Sequence, residues 1–217
     1  MKVVVVAAGD LGPSDVQQLA DAKLVIAADG GAASLVAAGC RVDRLVGDLD
    51  SVDAALIEEL AQTGTVIERH PVDKDASDTE LALRSALAAG ATSVVLLGAI
   101  GGVRLDHELA SLLLLADESL RGLPVELIHG PTTVRVVRGG ERIDLGGRIG
   151  DLVTLLPIGG DAVGVTTHGL RWPLDGATLR LGASRGLSNE LTSPASVAVE
   201  HGTLLVVETA TGGHRNP

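Results

Sequence analysis

Six aspartates, each beside a glycine turn or a helix start, are the residues of this chain best suited to chemistry: Asp29, Asp48, Asp50, Asp75, Asp78 and Asp106. They lie in ADGG (28–31), GDLDS (47–51), KDASD (74–78) and RLDH (104–107). Carboxylates forced close together repel, and one pKa rises unless a cation sits between them. Mg²⁺ takes oxygen ligands and keeps waters that phosphate oxygens replace. Carboxylates beside glycine turns therefore suit a metal-bound polyphosphate.

Each motif also has a plainer reading. In an extended GDLDS, Asp48 and Asp50 would face the same way; otherwise it is an Asp-rich turn with Ser51 capping the next helix. Ser77 and Glu80 fit a capping box. Capping leaves Lys74 and Asp75 unexplained, and a helix N-terminus favours anions, so Lys74 suits a phosphate and Asp75 a metal. The glycines of ADGG and GAIGG (98–102) let backbone approach a ligand closely, although α/β folds need such turns anyway. Neither is a Walker loop or a G-x-G-x-x-G fingerprint. Arg104 suits phosphate charge, Asp106 a metal or substrate, and His107 proton transfer; the alternative is a helix cap with a surface arginine. In SRGLSNE (184–190), Ser188 and Asn189 offer neutral hydrogen bonds and Glu190 a charge, or the segment is a polar turn. Trp172 is either core cover or a flat wall against an aromatic ligand.

The elements that must position these residues are legible as patterns. Apolar strands are expected at 3–7, 24–27, 45–46, 65–68, 94–97 and 125–128, alternating with helices at 14–22, 32–38, 52–61, 79–89 and 106–116. Such alternation means a mostly parallel, doubly covered sheet. Parallel strands deliver their C-terminal ends to one edge, where ligands bind, so the six aspartates should converge there. After His129 short apolar runs follow at 133–137, 142–145, 152–156, 162–167, 178–181, 196–199 and 203–207, separated by glycine turns. This grammar reads as an all-β, sandwich-like domain. The expected organisation is an α/β domain over 1–129, a smaller β-rich domain over 130–210 and a flexible tail over 211–217.

Composition narrows the function classes. The formal net charge of −11 argues against non-specific nucleic-acid binding, and it makes an anionic substrate dependent on cations in the site. There is no Phe or Tyr, so a purine would be held by aliphatic contacts and backbone hydrogen bonds. No apolar run of membrane-spanning length, about 18 residues, is free of charge or glycine breaks. A buried first strand explains MKVVVVAAGDLG better than a signal peptide does. Cys40 is the sole cysteine, which excludes an intrachain disulfide and fits a reducing cytoplasm.

Taken together and in order, ADGG, GDLDS, KDASD, GGVRLDH and GLSNE resemble the pattern of the thiamine pyrophosphokinase family. That pattern reads roughly ADGGAN, GDFDS, KDxTD, GGRxDH and, late in the chain, SNE. The resemblance covers residues 28 to about 208. Ala33 replaces the usual Asn, Leu49 the Phe and Ser77 the Thr; Val103 is an added residue, and Ser111 stands where an Asn often follows DH. The resemblance implies transfer of the terminal diphosphate of ATP to the thiamine hydroxyl, releasing AMP. It implies that Asp48, Asp50 and Asp75 bind Mg²⁺ with Asp78 close by, and that Arg104 and Asp106 complete the catalytic set. Asp29, Gly30, Gly31, Ser51, Lys74 and Arg104 would line ATP. Asp106, Trp172, Ser188 and Asn189 would lie near thiamine. Family members are homodimers, with thiamine held between the α/β half of one subunit and the β half of the other. Two rivals stand beside this reading: a non-catalytic nucleotide or thiamine sensor on the same scaffold, and a haloacid-dehalogenase-type phosphatase read from DLDS with Asp48 as nucleophile.

Overall fold

The computed structural model describes residues 1–212, which divide into two compact units, residues 1–130 and 131–212. In the first unit β1 (Lys2–Val6), α1 (Pro13–Val16), β2 (Leu24–Ala28), α2 (Gly31–Ala37), β3 (Arg44–Gly47) and α3 (Ala54–Gln62) follow in turn. They are succeeded by β4 (Val66–Arg69), α4 (Asp78–Ala88), β5 (Ser93–Leu97), α5 (Leu105–Leu114) and β6 (Val125–His129). The strands pair in the order β4-β3-β2-β1-β5-β6, and every one of these pairs is parallel. The order runs outward from β1 to β4 and then restarts on the other side with β5. The switch point lies between β1 and β5, where open α/β sheets place a ligand crevice.

Burial explains why these strands read as unbroken apolar runs. Val4, Val6, Val25, Ala27, Leu45, Val95 and Leu97 share a core with Ala32, Leu35 and Leu60 from the helices. The alternate positions Val3, Val5, Ile26, Val46, Val94 and Leu96 are equally buried, and successive side chains of a strand face opposite sides. Ala82, Leu83 and Ala86 of α4 are buried too, and α4 packs on β1, β2 and β3. The expected first helix is shorter than 14–22: α1 is one turn, followed by a 3-10 turn at Gln17–Leu19. Among the described residues no helix is long and apolar enough to cross a membrane.

The second unit is built from β7 (Thr132–Arg138), β8 (Arg142–Asp144), β9 (Leu152–Leu170), β10 (Ala177–Leu179), β11 (Asn189–Ala198) and β12 (His201–Thr209). β12 pairs antiparallel with β7 and β9, β8 with β11, and β10 with β9. The runs 152–156 and 162–167, expected as separate strands, are one continuous strand of 19 residues. Its glycines at 159 and 164 have φ of 73° and 69°, so they bend the strand instead of ending it. Both ends of β9 then pair with β11, at Asn189–Glu190 and at Ser196–Ala198. Leu155, Val165, Leu179, Leu191, Val197 and Leu204 fill the enclosed core. Thr211 donates its N–H to Asp151 Oδ1 at 2.9 Å; from residue 213 onward the expected tail lies outside the described residues.

Gly31 shows how tightly α2 is seated on the sheet. A Cβ there would lie 2.1 Å from the Val6 carbonyl oxygen and 2.8 Å from its carbon. Backbone on both sides cannot yield cheaply, so Gly31→Ala is expected to cost about 2 kcal/mol or more by urea denaturation. A loss under about 0.5 kcal/mol, the size of an ordinary surface change, would show that the helix start slides freely.

Candidate active site

Three aspartates, two from strand ends and one from a helix start, meet at the C-terminal edge of the sheet. Asp29 follows β2, Asp48 follows β3, and Asp78 opens α4. Each offers a carboxylate oxygen, and these oxygens lie within 4.8 Å of one another. The sequence permits this because residue 47 is glycine: a Cβ there would stand 3.0 Å from Asp78 Oδ1 and 3.3 Å from Asp29 Cβ. Ser77 fixes the start of α4, its hydroxyl accepting the Glu80 N–H at 3.2 Å. The reciprocal half of the capping box is not the use made of Glu80, whose carboxylate binds Arg84. Asp53, not Ser51, caps α3. The Ser51 hydroxyl instead donates to Asp29 Oδ2.

Lys74 neutralises part of this charge. Its Nζ lies 2.7 Å from Asp48 Oδ2 and 2.7 Å from Asp78 Oδ1. The hydrogen bond from Lys74 holds the Asp48 carboxyl below the ordinary carboxylate range. Burial opposes the charge on Lys74, but its bonds to Asp48 and Asp78 outweigh that and raise its pKa.

Asp48 and Asp50 do not share one face of an extended segment. Leu49 is buried at φ 65°, so the chain turns there and the Asp50 N–H points back to Asp48 Oδ1 at 3.3 Å. Asp50 is exposed, and its pKa is raised by the charge of Asp48, by desolvation, and by Asp29 and Asp78. Asp75 is exposed in the loop before α4, outside the group formed by Asp29, Asp48 and Asp78. Arg104 binds Asp106 through Nε at 2.9 Å and Nη2 at 2.6 Å. That pairing lowers the Asp106 pKa to about 2. Arg104, not Asp106, is the residue preceding α5.

Beside the carboxylates is a cavity of about 270 Å³ at the switch point. Its floor is Ala7, Ala8, Gly9, Ala28, Gly98 and Ala99, and its rim includes Asp29, Asp78, Arg104, His107, Glu108 and Ser111. Sequence reasoning missed the first turn, AAGD (7–10), although it repeats the grammar of an apolar strand running into glycine and aspartate. Gly30 and Gly31 lie next to this floor at the start of α2.

In the second unit Trp172 is 56 % exposed, contrary to the core alternative. Its ring meets the Arg171 guanidinium 5.1 Å from the centroid. Asn189 accepts the Trp172 N–H at 3.1 Å and donates Nδ2 to the Trp172 carbonyl at 2.7 Å. Trp172, Pro173, Leu187 and Asn189 line a second cavity, also of about 270 Å³. Ser188 adopts φ 54°, and its N–H binds Thr154 Oγ1 at 3.0 Å.

The carboxylate group fits a hard divalent cation. All its donors are oxygens, as Mg²⁺ prefers, and Asp29 Oδ1 is buried without a hydrogen-bond partner. An unpaired buried carboxylate oxygen is costly unless something positive satisfies it.

Comparison with known proteins bears on this site. Residues 16–127 match the family model for the catalytic domain of thiamin pyrophosphokinase, and residues 141–204 match that for its vitamin B1 binding domain. The thiamine pyrophosphokinase of Bacillus subtilis is 25 % identical over 185 residues, spanning 85 % of this chain and 86 % of that protein. Thiamine pyrophosphokinase 3 of Oryza sativa is 28 % identical over 173 residues, 71 % of this chain and 60 % of that protein. The crystal structure of thiamin pyrophosphokinase from Geobacillus thermodenitrificans superposes with a TM-score of 0.81 at 25 % identity, covering 98 % of this chain and 99 % of that one.

The crowding around Asp50 has a measurable consequence. Its folded pKa is raised, so its ionised form destabilises the fold above the unfolded carboxylate pKa of about 3.9. The penalty vanishes at lower pH, where both states hold the proton. Asp50→Asn is therefore expected to raise the melting temperature of metal-free protein at about pH 7 and to leave it nearly unchanged at about pH 3. A lower melting temperature at neutral pH would show that Asp50 is not repelled by its neighbours.

Proposed function

The chain belongs to the thiamin pyrophosphokinase family, and on that footing we propose that it transfers the terminal diphosphate of ATP to the hydroxyl of thiamine in a metal-dependent reaction. The products are thiamine diphosphate and AMP. The observation that carries this reading is the meeting of Asp29, Asp48, Asp78 and Lys74 beside a cavity floored by alanine and glycine.

The thiamine oxygen attacks the β-phosphorus as the bond from that phosphorus to the AMP oxygen breaks. Such transfers depend on in-line placement and charge neutralisation more than on covalent help from the protein. Asp29, Asp48 and Asp78 would hold a divalent cation, with Asp50, which feels the charge of all three, beside them. When present, that cation neutralises phosphate charge and orients the chain. Lys74 and Arg104 supply the remaining positive charge. The glycine turns let backbone N–H groups approach the nucleotide. Asp106, kept ionised by Arg104, is a poor proton acceptor and a good partner for a cationic ring such as thiazolium. Trp172, Ser188 and Asn189 supply a flat face and neutral hydrogen bonds for thiamine. A loose transition state asks little of a general base.

The protein acts as a homodimer in this reading, and α5 supports it. Leu105, Leu109 and Leu113, at helical spacing, are 66 %, 52 % and 58 % exposed, while His107, Glu108 and Ser111 of the same helix line the cavity. Ser111 is the one buried residue of this helix, while these three leucines lie open, as a surface awaiting a partner does. The sole thiol, Cys40, suits a reducing cytoplasm.

The direct test is incubation with ATP, Mg²⁺ and thiamine followed by product separation. AMP and thiamine diphosphate are expected in equal amounts; ADP with thiamine monophosphate would refute diphosphate transfer. Asp48→Asn and Asp78→Asn should each lower kcat by about 100-fold or more, the scale for removing a group that stabilises transition-state charge. Retained turnover would remove them from the site. Leu109→Glu should shift the sedimentation coefficient from dimer to monomer, and an unshifted dimer would exclude α5 from the interface.

A further inference from the structure

Resting on the functional reading above, we propose that Lys74 is the resident counter-ion of the carboxylate group and couples metal binding to nucleotide binding. In the free protein its ammonium occupies Asp48 and Asp78; when a metal–nucleotide complex enters, it moves to phosphate and yields the carboxylates to the metal.

The geometry gives the reasons. Lys74 Nζ is 2.7 Å from one oxygen of each partner, and the three side chains are 14 %, 12 % and 24 % exposed. Charge-assisted bonds of this length are strong, and partial removal from water strengthens them. A divalent ion arriving without a nucleotide must evict this ammonium and leave it without an anion. A nucleotide polyphosphate removes that obstacle, because its oxygens accept all three lysine donors. Lysine is suited to the exchange: its charge is a compact point on a flexible four-carbon stem. It is also carried on the stretch between β4 and α4, where residues 70–77 form no helix or strand. The neutralisation is incomplete, which keeps the site receptive. Lys74 bonds to Asp48 and Asp78, whereas Asp29 has one oxygen held by Ser51 and the other buried without a partner. The contrast with Arg104 is informative. Its bidentate pairing is with the exposed Asp106, outside the Asp29, Asp48 and Asp78 group, so its release would free no ligand of that group.

The test uses Mn²⁺ as the probe ion, followed by electron paramagnetic resonance on the full chain, with and without a non-hydrolysable ATP analogue and without thiamine. Lys74→Met is expected to bind Mn²⁺ alone about tenfold more tightly than the wild type, while the tightening produced by the analogue shrinks by a similar factor. Lys74→Arg should keep most of the coupling. Lys74→Gln replaces the methionine variant if that variant fails to fold by circular dichroism. Folded Lys74→Met or Lys74→Gln protein that binds Mn²⁺ alone no more tightly than the wild type overturns the proposal. The functional reading fails separately. Wild type that shows the coupling but releases no thiamine-dependent AMP keeps the role of Lys74 and loses the reaction; the reverse result loses only Lys74.

Discussion

Mutual repulsion among Asp29, Asp48 and Asp78 is the constraint to which the rest of the site answers. Their oxygens are held within 4.8 Å of one another on a chain of net charge −11. Like charges at that distance cost on the order of a few kcal/mol per pair near a protein surface. No single helix or loop holds them there. They come from the ends of two parallel strands and the first residue of a helix, and the buried sheet fixes the separation of all three. Basic and acidic residues balance over 131–217, so the whole excess of negative charge belongs to residues 1–130. The unit that must receive a polyphosphate is therefore the one that repels it most. The internal lysine, Lys74, offsets part of that charge through Asp48 and Asp78.

Backbone strain marks the same places. The only non-glycine residues with positive φ among those described are Asp29, Leu49 and Ser188. Each sits inside a motif singled out for chemistry, and such conformations cost of order 1 kcal/mol or more. At Asp29 the backbone N–H is tied to the Val46 carbonyl at 2.9 Å, which over-determines the conformation and aims the carboxylate across β3. At Leu49 the strained residue is also buried, so core packing stabilises the turn that sets Asp50 apart from Asp48. Stability given up at these points lies where a positioned side chain is worth more than a relaxed one.

The sheet was legible because both of its faces are covered: runs such as VVVV and VVLL have no other good explanation, and the turns after them announced the ligand edge. The partners within that edge were harder to read. Asp48 and Asp50 are two apart and invite pairing as neighbours on a strand, but a single left-handed residue between them defeats the period-two rule. Asp78 reads as an ordinary helix-start acid, and only the close passage of Gly47 makes it a neighbour of Asp29. That contact joins residues far apart in sequence, and no local pattern carries it. β9 shows the complementary error. Glycine signals a turn when flanking runs are short, yet here it bends a strand whose two ends both find partners. The family resemblance identified the motifs as a set, but the grouping of side chains within the set had to come from geometry.

α5 is the element whose sequence pattern and role diverge most. Its leucines at 105, 109 and 113 would ordinarily mark the buried stripe of an amphipathic helix. They face outward instead, while His107, Glu108 and Ser111 line the cavity with alanine and glycine from the turns after β1 and β5. The floor of Ala7, Ala8, Gly9, Gly98 and Ala99 offers no bulky side chain to grip a ligand, and the chain has no Phe or Tyr to stack on one. Recognition there must come from backbone groups brought close by small residues and from polar groups on the rim, of which α5 supplies several. Leu105, Leu109 and Leu113 are left open to solvent. In the proposed reading the exposed leucines are what a partner would cover, while Ser111 of the same helix is buried against the cavity.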